Sequence, residues 1–337
     1  MRHTFRTLAI STVSLAAAVA HVAVASAQTP GAGSPVPAAQ PDSFPAWAYP
    51  WVPDFNPPPA DDVPQRLAGS TANYSSKQAR DLFFAPDWHP ADHAPMPEVV
   101  KAGRKPDVRA CGSCHRAEGT GGPENAGLAG LSVAYFVQQM ADFKSGARKF
   151  AGPQRSGPLF MAAAAKAMTD AEVQAAAEYF ASLKPKKIIK VVESEIVPKS
   201  YIARLFFVKL AEGGTEPLGR RIIEMPDDAD QFELRDTRSQ FTAYVPIGSI
   251  AKGEALAKTG GSGTTIPCAI CHGPDLKGIG PIPGIAGRSP SYMVRQLYDF
   301  QQGVRAGPAS ALMKPTVEKL SQEHMISLAA YVASLEP

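Results

Sequence analysis

All four cysteines of this 337-residue chain lie in two copies of one motif. The first copy is Cys111-Gly112-Ser113-Cys114-His115 and the second is Cys268-Ala269-Ile270-Cys271-His272. In the C-x-x-C-H pattern, the two thiols bond to the vinyl groups of a haem and the histidine binds the haem iron. We therefore predict two covalently bound haem c groups. The predicted attachment residues are Cys111, Cys114, Cys268 and Cys271, and the predicted proximal iron ligands are His115 and His272.

Structural zinc is the main alternative for paired C-x-x-C motifs. The two halves of a zinc site usually lie within about 20 residues of each other, whereas 154 positions separate Cys114 from Cys268. A redox-active dithiol needs no histidine after its second cysteine, and both motifs have one. The spacing and the histidines favour haem, with zinc and disulfide chemistry as the alternatives.

An internal repeat extends beyond the motifs. At an offset of 157 positions it pairs Ser132 with Ser289, Tyr135 with Tyr292, Gln139 with Gln296, Asp142 with Asp299, and Arg148 with Arg305. Further along the chain the offset becomes 152, which pairs Thr169 with Ser321. Among the nine methionines only Met161 and Met313 coincide in this alignment. A methionine opposite the histidine raises the reduction potential and closes the iron to substrate. We predict Met161 and Met313 as the second axial ligands, each on an irregular loop.

The elements that position these residues are predicted to be mainly helical. Helices are expected over residues 78–84, 97–103 and 132–148, the last with an inner stripe at helical spacing. A further helix begins at Thr169, where Thr169 and Glu172 form a capping-box pattern. Residues 188–245 are rich in β-branched and aromatic residues and predict a small β-rich insertion without chemistry of its own.

The N-terminus is typical of a secretory signal peptide at residues 1–27. Arg2 and Arg6 precede a largely apolar stretch, and Ala25-Ser26-Ala27 fits a cleavage site. A membrane anchor is the alternative, but Ser11, Thr12, Ser14 and His21 interrupt the apolar stretch. Because c-type haem is attached after export in bacteria, we expect a periplasmic protein.

Residues 28–96 form a Pro-rich N-terminal arm in this interpretation. We expect a spacer or an arm that lies on the surface of the protein through its aromatic residues, with a recognition segment as the alternative. His89 and His93 are expected to be solvated, with iron ligation as the weaker alternative. The formal charge of +3 falls when Arg2 and Arg6 leave with the signal, so no basic surface for nucleic acid is indicated.

These residues resemble the class I c-type cytochromes, and their doubled arrangement is similar to dihaem cytochromes of the cytochrome c4 kind. The resemblance rests on both motifs, both methionines, and the helices that hold Tyr179 and Tyr331. It implies a mainly α fold of two tandem class I cytochrome c domains, at residues 97–185 and 246–337. The β-rich insertion then occupies residues 186–245. By analogy Arg148, Arg305, Tyr135 and Tyr292 would meet haem propionates, although each is equally consistent with a helix-surface or core residue.

The resemblance implies a periplasmic electron carrier that is not an enzyme. The expected partners are a donor dehydrogenase or quinol-oxidising complex and an acceptor oxidase or reductase. No transmembrane span is expected after signal removal, and peripheral membrane association stays open. The alternatives are a dihaem enzyme, such as a peroxidase or a sulfur-compound oxidoreductase, and an electron-transfer subunit docked on a dehydrogenase or oxidase.

Overall fold

The structure is a computed structural model that describes residues 44–337. The predicted signal peptide and residues 28–43 of the predicted arm lie outside the described residues. Within the described range, no helix combines the length and the apolar character needed to cross a bilayer.

The described chain up to residue 185 contains six α-helices. They are α1 (Ser76–Ala79), α2 (Glu98–Lys101), α3 (Cys111–His115), α4 (Val133–Ser145), α5 (Ser156–Ala167) and α6 (Asp170–Ser182). The Ser132 hydroxyl accepts the Tyr135 N–H at the start of α4, and Gly146 ends this helix in the left-handed conformation with φ 77°. Thr169 and Glu172 form the predicted capping box of α6, so the predicted start of this helix is confirmed.

The helix predicted at residues 78–84 is instead a single turn at Ser76–Ala79. It begins earlier because Ser75 and Gln78 form a capping box at that point. It ends early because Arg80 closes the turn and the Asp81 carboxylate accepts the Phe83 N–H, which favours a turn over a continued helix.

The segment between residues 186 and 245 is rich in strands, as its composition predicts. In order it contains β1 (Ile189–Glu193), β2 (Ile196–Pro198), β3 (Ser200–Ala203), β4 (Phe206–Lys209), β5 (Thr215–Pro217), β6 (Ile223–Pro226), α7 (Ala229–Glu233) and β7 (Phe241–Val245). Strand β7 is central, parallel to β1 and antiparallel to β6, with Ile189 opposite Phe241 and Ile223 opposite Tyr244. Two antiparallel pairs, β2 with β5 and β3 with β4, complete the segment. Alternate residues of β7 are buried and join one hydrophobic cluster with the helices that follow.

The second copy of the repeat contains five α-helices and one hairpin in the described chain. These are α8 (Ser249–Thr259), α9 (Ala269–His272), β8 (Gly278–Ile279), β9 (Ile282–Pro283), α10 (Pro290–Gln301), α11 (Lys314–Val317) and α12 (Gln322–Ser334). Ser289 caps α10 and Ser321 caps α12, as their counterparts do in the first copy. Helices α8 and α12 cross at Gly253, where a Cβ would overlap the carbonyl oxygen of Ser327. Glycine there permits the close crossing.

Two aromatic residues of the arm are buried in the core. Trp47 and Tyr49 belong to the same hydrophobic cluster as α10. The Tyr49 hydroxyl donates to Asp299 Oδ1 at 3.0 Å, and Arg295 donates to the Ala48 carbonyl at 2.8 Å. Packing removes about 150–250 Å² of each aromatic side chain from water. The free energy gained by this burial exceeds the tendency of the Pro-rich backbone to stay extended and unpacked.

The side chains of His89 and His93 are also buried, contrary to the expectation that they are solvated. His89 Nε2 lies 3.0 Å from Asp236 Oδ1, on the segment that follows α7. His93 Nε2 lies 3.1 Å from Asp87 Oδ1, and the Tyr179 hydroxyl lies 3.0 Å from His93 Nδ1. A buried histidine of this kind needs a polar partner. Because Asp236 is distant from His89 in sequence, the local composition did not predict that His89 is buried.

Candidate haem site

Each C-x-x-C-H motif forms about one helical turn. Helix α3 spans the first motif, and α9 begins one residue after Cys268, which is its N-cap. Residues three and four positions apart share one face of a helix, so the two cysteines and the histidine of each motif face the same side. The turns end where Arg116 and Gly273 adopt positive φ angles of 69° and 84°. All four cysteines are free of disulfide bonds.

The two motif histidines are held in one tautomer by main-chain carbonyls. Nδ1 of His115 lies 2.8 Å from the Ala126 oxygen, and Nδ1 of His272 lies 2.8 Å from the Pro283 oxygen. A carbonyl can only accept, so Nδ1 carries the proton and Nε2 keeps its lone pair for a metal. Burial lowers the pKa of both imidazoles and favours the neutral form that binds iron.

A single cavity of about 520 Å³ is lined by residues of both copies. The predicted site residues on its walls are Cys111, Cys114, His115, Met161, Cys268, Cys271, His272 and Met313. Cavities of this size that are mostly apolar with a few polar groups are typical ligand sites. All eight predicted residues therefore meet at one cavity, and their roles as attachment points and ligands stay predictions.

The two predicted methionine ligands do not lie on irregular loops, so that part of the prediction was wrong. Met161 lies in the middle of α5, and Met313 is the last residue of a 3₁₀-helix, Pro308–Met313. Four consecutive alanines follow Met161, and alanine is the strongest helix former, so α5 continues through the methionine. Both side chains still reach the cavity wall from these helices.

A polar cluster joins the two copies across the cavity. Arg148 donates to the Tyr292 hydroxyl at 3.0 Å, and Arg305 donates to the Tyr135 hydroxyl at 2.8 Å. Both arginines also donate to Gln139 Oε1, each at 2.8 Å. The arginine of each copy therefore binds the tyrosine of the other, a pairing that the repeat alone does not reveal.

Three buried arginine nitrogens on the cavity walls have no hydrogen-bond partner among the described residues. They are the Nε atoms of Arg109, Arg155 and Arg305. The guanidinium groups that carry these atoms place positive charge on the cavity wall, which favours an anionic group in the cavity. Haem propionates are carboxylates of this kind. The donors, the cavity and the two motifs together fit covalent haem.

The cavity residues that were not identified from the sequence include Tyr49, Arg155, Arg288 and Arg295. None is matched by the same residue in the other copy, so comparison of the repeats passed over them. The one signal in the sequence is its spacing, because Arg295 follows Tyr292 by three positions and such residues share one face of a helix. It donates to the Pro123 carbonyl at 2.6 Å and so connects α10 to the first copy.

The other described histidines lie away from the cavity. His89 and His93 contact carboxylates near the insertion, and neither contributes to the cavity wall. His324 accepts the Ser321 N–H at 3.2 Å in the capping box of α12. Among the described histidines, His115 and His272 are those that line the cavity.

The fold and the site define a c-type cytochrome with two haem-binding motifs. A sequence profile described as cytochrome c matches residues 100–184. Cytochrome c-554(548) of Halomonas halodenitrificans is 38% identical over 85 residues, which are 25% of this chain and 99% of that relative. The chain belongs to the cytochrome c family.

Two further relatives match over longer stretches of this chain. Cytochrome c4 of Azotobacter vinelandii is 29% identical over 136 residues, and the match covers 36% of this chain but only 65% of that relative. The thiosulfate dehydrogenase electron acceptor of Thiomonas intermedia is 27% identical over 239 residues, 69% of this chain and 82% of the relative. The chain is a dihaem, cytochrome c4-like member of the family, and its cofactors are two covalently bound haem c groups.

Proposed function

We propose that this chain is an exported electron carrier made of two tandem class I cytochrome c domains. Each domain binds one haem through its C-x-x-C-H motif and its methionine, Met161 in the first and Met313 in the second. The bound iron supplies reversible one-electron chemistry. A histidine and a methionine would hold each iron and would leave no position for a substrate, which is the arrangement of a carrier.

The observation that carries this proposal is the convergence of both motifs and both methionines on one cavity. A shared cavity brings the two redox centres near each other, with the Arg148–Tyr292 and Arg305–Tyr135 pairs at the junction. An electron that enters one centre can then reach the other without leaving the protein.

The partners follow from this role. The donor is a dehydrogenase or a quinol-oxidising complex, and the acceptor is an oxidase or a reductase. A relative named as a thiosulfate dehydrogenase electron acceptor supports a dehydrogenase as the donor. The signal-peptide pattern at residues 1–27 supports function in the periplasm.

Spectroscopy of the purified holoprotein tests the proposal against a dihaem enzyme. Both ferric haems should be low-spin and six-coordinate, with the charge-transfer band of methionine-ligated iron and only slow binding of carbon monoxide. An enzyme needs an open or displaceable position on the iron. A high-spin haem in the unmodified protein would support the enzyme instead.

A further inference from the structure

The turn that ends the first C-x-x-C-H motif has an arginine where the second has a glycine. Arg116 directly follows His115 and has φ 69° and ψ 158°, and its counterpart Gly273 has φ 84° and ψ 160°. This region of backbone conformation is essentially reserved for glycine. Five non-glycine residues of the described chain have positive φ, and Arg116 is the one that adjoins a predicted iron ligand. Such strain persists only where the surroundings hold the residue, which points to a role for this side chain.

The insertion holds the Arg116 side chain. The guanidinium carbon lies 4.5 Å from the centre of the Phe232 ring, and Nη2 donates to the Phe232 carbonyl at 3.4 Å. Phe232 lies in α7 and is fully buried, with edge-to-face contacts to Phe206 and Phe241. Arg116 itself is 1% exposed. A segment outside both copies of the repeat therefore fixes a cation beside the first motif.

The positive charge around Arg116 exceeds the negative charge. Glu124 Oε1 lies 3.9 Å from Arg116 and 3.9 Å from Arg235, so two guanidinium groups share one buried carboxylate. Glu233 also acts on Arg116, but its side chain is 41% exposed and faces Arg80 at 4.0 Å. Burial lowers the pKa of Arg116 to about 10, which leaves the guanidinium protonated at neutral pH.

The second motif lacks counterparts of these charges in the sequence. At the repeat offset of 157 positions, Gly273 stands for Arg116 and Pro281 stands for Glu124. Burial is the main cause that lowers the pKa of His115, and the charges of Glu124 and Arg116 also act on it. Burial and a main-chain carbonyl are the causes for the second motif histidine. The two haem ligands therefore lie in different electrostatic surroundings, although their motifs repeat.

We propose that Arg116 raises the reduction potential of the first haem, and that Phe232 of the insertion positions Arg116 for this role. A ferric haem that takes up one electron loses one positive charge, so a fixed cation nearby favours the reduced form. Burial strengthens the effect, because solvent and salt screen a buried charge less than an exposed one. An electron shared between the two haems is biased towards the first. This inference rests on the proposed electron-carrier function.

A purely structural role for Arg116 makes a different prediction. Glycine suits this backbone conformation, and the second copy has it. If Arg116 serves only the fold, its replacement by a neutral residue changes stability and leaves both potentials as they were. If Arg116 acts on the iron, Arg116→Gly relieves the strained backbone and still lowers the potential of the first haem. Measurements of potential and of stability therefore separate the two roles.

The experiment is a redox titration of the holoprotein, followed by NMR of the haem methyl groups. Contacts from the thioether protons assign each haem to Cys111 and Cys114 or to Cys268 and Cys271. We expect Arg116→Gln and Arg116→Gly to lower the equilibrium constant for reduction of the first haem about tenfold, which is about 59 mV for one electron. The second haem should change little. At about pH 6, Arg116→Lys keeps the charge and should retain most of the potential.

Two variants of the insertion complete the set. Phe232→Leu removes the ring that covers the guanidinium and admits water, so it should lower the potential of the first haem by less than Arg116→Gln does. Arg220→Gln is the matched control, because it removes a cation of the insertion whose side chain is 58% exposed. It should move neither potential. Denaturant unfolding of each variant measures stability separately.

Several results would overturn the inference. These are an unchanged potential of the first haem in Arg116→Gln and Arg116→Gly, an equal shift in Arg220→Gln, or an equal shift of both haems. An equal loss of potential in Arg116→Lys and Arg116→Gln would assign the effect to packing and not to charge. If the unmodified holoprotein fails to take up one electron per haem reversibly, the electron-carrier proposal fails rather than the role of Arg116.

Discussion

Arg148 donates a hydrogen bond from Nη2 to the hydroxyl of Tyr292 at 3.0 Å, across 144 positions of sequence. The matching bond from Arg305 to Tyr135 measures 2.8 Å. Each bond joins a residue of the first copy to one of the second. The two bonds therefore hold the copies together at the cavity that both haem motifs share.

Removing one hydroxyl from this cluster should destabilise the holoprotein. Tyr292→Phe leaves the charged Arg148 guanidinium with one fewer acceptor, and we expect the free energy of unfolding to fall by about 1–3 kcal/mol. Denaturant titration followed by haem absorbance measures it. Tyr298→Phe is the matched control, because Tyr298 lies on the same helix and its hydroxyl has no hydrogen bond to the described residues. An equal decrease in the free energy of unfolding in the two variants would mean that the Arg148–Tyr292 pair has no special role in stability.

Met161→Ala and Met313→Ala should each open one haem. The cavity also contains Met168 and Met293, which have plain hydrophobic counterparts in the other copy. We therefore expect each ligand variant to lose about half of the methionine charge-transfer band and to bind carbon monoxide at one haem. Met168→Leu and Met293→Leu should leave both spectra unchanged. The ligand assignment is wrong if either leucine variant opens a haem while the alanine variants do not.

Glu224 connects the β-rich insertion to the second copy, and its loss should weaken the fold without changing haem ligation. This buried carboxylate accepts the Ser289 hydroxyl at 2.7 Å and the Ser291 N–H at 3.1 Å, at the start of α10. The N-terminus of α10 stabilises the ionised carboxylate of Glu224. Burial disfavours the ionised form and raises the pKa of Glu224. We expect Glu224→Ala to cost about 1–3 kcal/mol in the free energy of unfolding.

Glu224→Gln is the conservative comparison, because its amide oxygen can still accept and it should cost less than Glu224→Ala. Glu212→Ala, at an exposed site of the insertion, should change stability by less than about 0.5 kcal/mol. Both haem spectra should stay normal in all three variants. Lost ligation in Glu224→Ala would contradict the prediction that the insertion carries no iron ligand.

The contribution of His93 to stability should fall as the pH rises. The hydrogen bond with Asp87 is the main cause that raises the pKa of His93 above 6.5, against the opposing effect of burial. The groups that face it are Asp87, Glu118 and the Tyr179 hydroxyl. Because the folded pKa is raised, the stabilisation is fully present below pH 6.5 and is lost as the pH rises through the folded value.

The free energy of unfolding of the unmodified protein and of His93→Gln, measured from about pH 6 to pH 9, tests this sign. The difference between the two proteins should be largest at the acidic end and shrink towards the alkaline end. A difference that grows with pH would mean that His93 is held neutral in the folded protein.

The sequence alone determined the residues whose chemistry depends on fixed local spacing. Covalent haem attachment requires two cysteines and a histidine within five residues, so Cys111–His115 and its repeat were recognisable. The cap at Thr169 was equally local, because a cap bonds backbone groups two or three residues away. Comparison of the copies then selected Met161 and Met313, although it did not predict that both lie in helices.

Tertiary structure decided which distant residues meet. The Tyr49–Asp299 bond spans 250 positions, and the His89–Asp236 contact spans 147. Neither partner carries a local signal for the other, because a buried polar group needs only some partner of suitable chemistry and the fold selects which one. The different surroundings of the two motif histidines arose in the same way. Both motifs repeat in sequence, but only packing shows that the insertion buries a cation beside the first.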